Sequence, residues 1–286
     1  MTAKIIDCRK IAASLNEKTA NEVEILKAKY GTVPKIITIK IGNDLASNLY
    51  LKLRDETCNK AGIISKHSEF NKDVSEDKVL DAINKLNDDK NVHGILIQFP
   101  IPEHISSEKL LLKINPKKDV EGLNPINMGK TMIGNEHLIP CTPKAVLTIL
   151  SYEKTQLKGK NIVIVNHSNI VGKPLSMLLL NRNATVSVCH VFTDDLQRYS
   201  TQADILISAA GIPKLISQEK VKKGAFVIDV GIVKTKDGIC GDVDFPSVKE
   251  KASKITPVPG GVGPVTIASS LQNMLTTFRN CFGEKT

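Results

Sequence analysis

Alternation of short apolar runs with stretches of helical period constrains this chain more than any other feature. The runs are PKIITIKIG (34–42), VHGILIQF (92–99), NIVIV (161–165), ATVSVCH (184–190), ADILISAAG (203–211) and AFVIDVG (225–231). Near-continuous apolar runs, without the polar alternation of a half-exposed strand, belong to parallel strands covered on both faces. Between them lie segments of helical spacing. Residues 10–29 carry Ile11, Leu15, Val23 and Leu26, and a second helix is opened by Ser47 as N-cap and closed by Gly62. Residues 75–87 form a third. Thr142 as N-cap with Pro143 at the first helical position starts another through Leu150, and helices are expected over 173–181 and 264–279. The pattern predicts an α/β chain of parallel sheets, and 286 residues suffice for two domains. Pro116, Pro125, Pro140 and Pro143 place the crossing between them within 115–160.

Composition narrows the partners. The net charge is +9, but the lysines are interspersed with acids, and the densest basic spots are the pairs Lys117-Lys118 and Lys222-Lys223. Such a surface reads first as a solvated basic one and second as a field for an anionic small molecule. With aromatics at 4% and no Trp, stacking platforms for nucleic acid are scarce. No run reaches the roughly 20 apolar residues of a membrane span. The six cysteines form no CxxC pair, and no set of them has zinc-ligand spacing, so they read as reduced thiols. The opening MTAKIIDCRKIAASL, with Asp7, reads as neither signal nor transit peptide. Together these give a cytoplasmic expectation, with no nucleic acid, membrane or metal.

The turn after NIVIV is Asn166-His167-Ser168-Asn169-Ile170-Val171-Gly172-Lys173-Pro174. It stands where a dinucleotide fold places its phosphate turn, between a strand and a helix N-terminus. Only Gly172 remains of a GxGxxG pattern, so the turn alone reads equally as any strand-to-helix connection. His190 and Thr193 follow the second strand of the series, where the adenosine ribose is read. Gly231 and Ile232 follow the last strand, at its carboxyl end. A lone histidine is more often a structural hydrogen-bonder than a chemical group.

Several segments together resemble one family. They are Tyr50 within SNLYLKLR, GILIQFPIP (94–102), PKKDVEGLNPINMGK (116–130), PCTPKAV (140–146), SNIVGKPLSMLLLNRNATVSVCH (168–190), VIDVGI (227–232), GDVDF (241–245) and ITPVPGGVGPVTIA (255–268). The chain resembles the methylenetetrahydrofolate dehydrogenase/methenyltetrahydrofolate cyclohydrolase family over nearly its whole length. The resemblance implies an N-terminal α/β folate domain (1–120 plus 265–286), a Rossmann-like NAD(P) domain (121–264), a cleft between them, and a homodimer. It implies oxidation of 5,10-methylenetetrahydrofolate by hydride transfer to NADP, then hydrolysis of the methenyl product to 10-formyltetrahydrofolate. The catalytic positions are then Tyr50, Arg54, Gln98 and Glu121. Substrate would be held by Tyr50, Gln98, Pro100, Glu121, Pro259, Gly260, Gly261 and Pro264. The cofactor would be held by Asn166, His167, Ser168, Ile170, Val171, Gly172, His190, Thr193, Gly231 and Ile232. The chemistry of these residues agrees. Tyr50 and Arg54, four apart on a helix, share a face. Glu121 can take two hydrogen bonds from an aminopyrimidine edge, and PGGVG (259–263) lets backbone approach a flat ring. Taken singly, a helical Tyr reads as packing, Gln98 as a strand-end cap and PGGVG as a turn.

Three positions depart from the family pattern. Arg54 stands where a Lys is usual, the residue to which the cyclohydrolase step is assigned; a guanidinium is no practical base. Lys52 points about 200° away from Tyr50 on the helix. Glu121 replaces an Asp, and Asn166-His167 replaces Gly-Arg, the Arg being the expected partner of the NADP 2′-phosphate. His167 is a weaker substitute, so NADP is expected with NAD as the alternative. Two other readings stay open: a non-catalytic folate-binding relative, and a two-domain dehydrogenase of another small substrate.

Overall fold

The computed structural model describes residues 2–236 and 238–284, with side chains except at 45–47. In chain order the elements are β1 (Lys4–Ile5), α1 (Cys8–Tyr30), β2 (Lys35–Ile41), α2 (Leu45–Lys60), β3 (Ile64–Phe70), α3 (Glu76–Asp88), β4 (Gly94–Ile97), α4 (Ser107–Lys113), α5 (Pro125–Met132) and α6 (Cys141–Tyr152). They continue with β5 (Asn161–Val165), α7 (Gly172–Leu180), β6 (Thr185–Cys189), α8 (Leu196–Ser200), β7 (Ile205–Ser208) and β8 (Phe226–Asp229). The last are β9 (Val233–Thr235), β10 (Gly238–Cys240), α9 (Phe245–Val248), β11 (Lys254–Ile255) and α10 (Val262–Cys281). No described helix is long and apolar enough to cross a membrane.

The chain divides into two compact units. One comprises residues 1–13, 131–135 and 142–266; the other comprises 14–130, 136–141 and 267–286. This division differs from the expected boundaries at 121–130 and 136–141, which group with the smaller-sheet unit, and at the N-terminus, because β1 pairs with β11 and joins residues 1–13 to the six-stranded sheet.

That sheet has the order β1-β11-β8-β7-β5-β6, and all its ladders are parallel. Strands β5, β7 and β8 are buried almost throughout, which is why their sequences show apolar runs rather than alternation. Val163, Val165, Leu206, Val227 and Ile255 lie in one core cluster. The sheet order sends β5 to β6 on one side and returns to β7 on the other. The carboxyl ends of β5 and β7 therefore flank a topological switch point, the usual ligand position of open α/β sheets. The short β9–β10 hairpin is antiparallel and stands apart from the parallel pattern expected for the chain.

The second unit is built on the parallel sheet β3-β2-β4. One core cluster packs Ile37, Ile39, Ile95 and Ile97 with Val79 and Ile83 of α3. Another packs Ile36 and Leu96 with Leu271, Met274 and Phe278 of α10. Strand β3 has no counterpart among the apolar runs. ISKHSEF is an edge strand of half-exposed polar residues, and its apolar signal is correspondingly absent.

Two helix starts also differ. α2 begins at Leu45, which places Ser47 in its first turn rather than at the cap. α6 begins at Cys141, so Thr142 is helical and Pro143 lies in the first turn, where its missing N–H leaves no intrahelical bond unmade.

Asn273 of α10 ties this unit together. Its Nδ2 donates to the carbonyls of Val120 and Ile139, both at 2.9 Å and both buried. Asn273→Ala removes both of these buried hydrogen bonds, leaving Val120 O with Cys141 Sγ at 3.4 Å, and should cost roughly 2–4 kcal/mol. A urea unfolding midpoint that moves little from wild type would contradict this account.

Candidate active site

In the smaller-sheet unit the candidate cluster begins on β2. Thr38 is the one hydroxyl in KIITIKI and is fully buried. Its Oγ1 accepts a hydrogen bond of 2.6 Å from Nη2 of Arg54, one turn along α2 from Tyr50. Arg54 is 1% exposed, and its Nε and Nη1 have no hydrogen-bond partner among the described residues. A buried guanidinium with two unmet donors is costly unless a ligand supplies the acceptors. Lys52, two residues away, is exposed.

Glu121 is presented by the loop after Asp119. The buried Asp119 carboxylate accepts from the backbone N–H of Gly122 (3.0 Å) and Asn124 (2.8 Å) and from Asn127 Nδ2 (2.9 Å). Burial raises the Asp119 pKa, and those hydrogen bonds pull it back. Glu121 is half-buried, and burial pushes its carboxyl up to about 7. The Arg54 charge pulls it down, Asp119 pushes it up, and a hydrogen bond with Cys141 lowers it. The Tyr50 phenol is raised chiefly by burial and further by Glu121, against the opposing effect of Arg54, so it stays protonated. The cluster therefore holds a neutral phenol, a fixed cation, and a carboxyl able to exchange a proton near neutrality.

Gln98 follows β4, with its Nε2 donating to the carbonyl of Phe99 at 2.7 Å. Pro100, exposed, follows a cis peptide bond.

In the larger-sheet unit a cavity of about 480 Å³ opens beyond the carboxyl ends of β5, β6 and β7. Asn166, His167, Ser168, His190 and Thr193 line it; Ile170, Val171, Gly172, Gly231 and Ile232 do not. Asn166 organises the turn. Its Oδ1 accepts from Ser168 N (2.8 Å), Ser168 Oγ (2.8 Å) and Gly172 N (2.9 Å), and its Nδ2 donates to Ala209 O at 2.7 Å. A Cβ on Gly172 would stand 2.0 Å from the Asn166 carbonyl oxygen, so only glycine fits where α7 begins. Val171 N donates to Ser168 Oγ at 3.1 Å, while Ile170 and Ile232 are exposed.

Two buried carboxylates hold the neighbouring loops. Asp229 accepts from Gly231 N (2.9 Å), Asp242 N (3.1 Å) and Val243 N (2.9 Å). Asp242 accepts from Ser208 Oγ, Ala210 N and Ile212 N. Burial raises the Asp229 carboxyl to about 6 against these hydrogen bonds, with Asp242 adding to the rise.

The PGGVG loop precedes and opens α10. Pro259 is exposed after a cis bond, Pro264 is half-buried in the first helical turn, and a Cβ on Gly260 would press on the Arg9 side chain. A Cβ on Gly261 would lie 2.1 Å from Pro257 O, so the chain's own path already demands glycine there.

Sequence reasoning passed over Thr38, Asp119, Cys141 and Asp242, whereas Asp229 was visible as the acid ending an apolar run. Of those missed, Thr38 left a trace as the lone hydroxyl in an apolar strand.

Comparison with known proteins gives this geometry a family. Residues 6–121 match the tetrahydrofolate dehydrogenase/cyclohydrolase catalytic domain, and residues 140–282 match the NAD(P)-binding domain of the same family. The chain belongs to the tetrahydrofolate dehydrogenase/cyclohydrolase family. It is 48% identical to the bifunctional protein FolD of Methanosarcina barkeri, over 96% of this chain and 95% of that one. The bifunctional FolD methylenetetrahydrofolate dehydrogenase/cyclohydrolase of Campylobacter jejuni superposes with a TM-score of 0.95 at 42% identity, covering 97% of this chain and 99% of that one. The Trypanosoma brucei enzyme, solved with NADP and an inhibitor, gives a TM-score of 0.95 at 35% identity, covering 99% and 100%. The family's two-domain α/β fold, expected from the sequence, is the fold found.

The raised Glu121 carboxyl has a stability consequence. Its folded value of about 7 exceeds the ordinary 4.5, so the folded state holds the proton more tightly. Stability from this group is complete below about 4.5 and is lost as pH rises through 7. Glu121→Gln should therefore stabilise the protein by roughly 2–3 kcal/mol at pH 8 and by little at pH 4. Denaturant midpoints at the two pH values check this; equal effects at both would refute it.

Proposed function

We propose that this protein oxidises 5,10-methylenetetrahydrofolate to 5,10-methenyltetrahydrofolate with NADP, and that it hydrolyses the methenyl product only weakly. The observation that carries the reading is the family match through both domains, joined to the Tyr50–Arg54–Glu121 cluster within the catalytic-domain match. That match through both domains disfavours the alternatives, a binding-only relative or a dehydrogenase of an unrelated substrate. A bound pyridine dinucleotide would supply the hydride acceptor; what this chain supplies is binding and orientation. Asn166, Ser168 and Gly172 shape the turn for the cofactor. Glu121 offers a carboxyl to the aminopyrimidine edge of the pterin, and the unmet donors of Arg54 offer hydrogen bonds to substrate acceptors.

Hydrolysis makes a different demand. Water adding to the methenyl carbon must lose a proton, and ring opening returns one to nitrogen. Arg54 stays charged and cannot shuttle it. Hydride transfer asks for position rather than a proton relay. A cytoplasmic setting is supported by cysteines that form no disulfides among the described residues. A homodimer is supported by the family resemblance alone.

The test is a paired assay. Reduction of NADP on addition of methylenetetrahydrofolate should be readily measured, with methenyl hydrolysis at least about tenfold slower, equivalent to about 1.4 kcal/mol of barrier. Arg54→Lys should raise the hydrolysis. Hydrolysis as fast as oxidation in the unmodified protein would overturn the second half of the proposal, and absence of cofactor reduction would overturn the first.

A further inference from the structure

The cavity at the ends of β5, β6 and β7 has an unexpected charge make-up for a pocket that takes a phosphorylated dinucleotide. Its lining contains no lysine, arginine or carboxylate; the titratable side chains in it are His167 and His190. Their ring centroids lie 4.8 Å apart, tilted by 47°. In nucleotide-binding sheets of this order, the segment past the second strand reads the 2′ position of the adenosine ribose. An acid there accepts from a free hydroxyl, and a permanent cation accommodates a 2′-phosphate. β6 is that second strand, and His190 directly follows its last residue, Cys189.

The His190 ring is fixed by its own loop. Phe192 N donates to its Nδ1 at 3.2 Å, His190 N donates to Thr193 Oγ1 at 2.9 Å, and Thr193 N donates to His190 O at 2.9 Å. With Nδ1 held as an acceptor, Nε2 is the ring atom left to donate. His167 is exposed in the turn after β5 and meets the His190 ring. The remaining charged groups on surrounding elements do not line the cavity. Asp195 accepts from Arg198 N as the cap of α8, and Asp194 precedes it. Lys173 of α7 bonds to Asn169 Oδ1, Lys214 is exposed in the segment after β7, and Asp242 is buried beneath that segment.

We propose that the His167–His190 pair reads the 2′ position of the cofactor, with His167 gripping a 2′-phosphate only while protonated, so that the choice between NADP and NAD follows pH. This rests on the dinucleotide reading of the site given above. Imidazoles ordinarily change charge between about pH 5 and 8. A phosphate monoester runs the other way, gaining its second charge near pH 6. A preference for the 2′-phosphate that falls with rising pH is therefore a signature of the imidazole and not of the ligand.

The experiment is calorimetric binding of adenosine 2′,5′-bisphosphate and of 5′-AMP to the full chain at pH 6.5 and 8.5. The affinity ratio between the two should fall roughly tenfold across that range, the size of one charge-assisted hydrogen bond. His167→Gln should leave a low, pH-independent ratio, and His167→Arg a high, pH-independent one. A ratio that does not fall in the unmodified protein, or that falls equally in His167→Gln, would overturn the proposal. Failure of both nucleotides to bind would overturn the cofactor reading along with it. Pathway-level failure is separable, because these binding ratios stand even if methylenetetrahydrofolate is not oxidised.

Discussion

Buried carboxylates holding backbone N–H groups underlie the chemistry of both units. Loops that leave strand ends carry donors with no ladder partner, and buried donors must be satisfied. Asp119 does this for the loop bearing Glu121, while Asp229 and Asp242 do it for the loops beyond β7 and β8. Asp242 also donates its own backbone N–H to Asp229, so the two acids form one connected network. Each carboxylate is expensive to bury and is retained because several donors converge on it.

Arg54 is the opposite case. It is fully buried, with one short hydrogen bond to Thr38 and two donors unmet. Its charge depresses the pKa of both Tyr50 and Glu121 while burial raises them further, so the protonation balance of the cluster depends on a group that never titrates. A lysine at this position would add a second exchangeable proton to the cluster. The arginine leaves Glu121 as the group most ready to exchange one.

Much of this was legible from residues alone. The apolar runs at 161–165, 203–211 and 225–231 announced the buried parallel strands, because burial on both faces removes alternation. Strand β3 was silent, since an edge strand carries lysine, histidine and serine and imitates a loop. The join of residues 1–13 to the larger sheet was equally silent, because two residues of β1 make no pattern. At the candidate site, Tyr50, Arg54 and Glu121 could be named from spacing and family motifs. The buried acids could not be weighed, because an Asp at a strand end looks the same whether it faces water or three backbone amides. Helix starts shifted by three residues at Ser47 and by two at Thr142, where competing cap positions differ little in energy.

The Asn166 turn has a consequence for how a ligand is received. One amide oxygen takes three donors, the amide nitrogen anchors Ala209, and Gly172 permits the close approach. The conformational entropy of that turn is therefore surrendered when the chain folds rather than when a nucleotide arrives. The turn segment of the cavity need not be ordered by its ligand, and differences in affinity between related nucleotides then report the contacts themselves, largely free of a shared ordering cost.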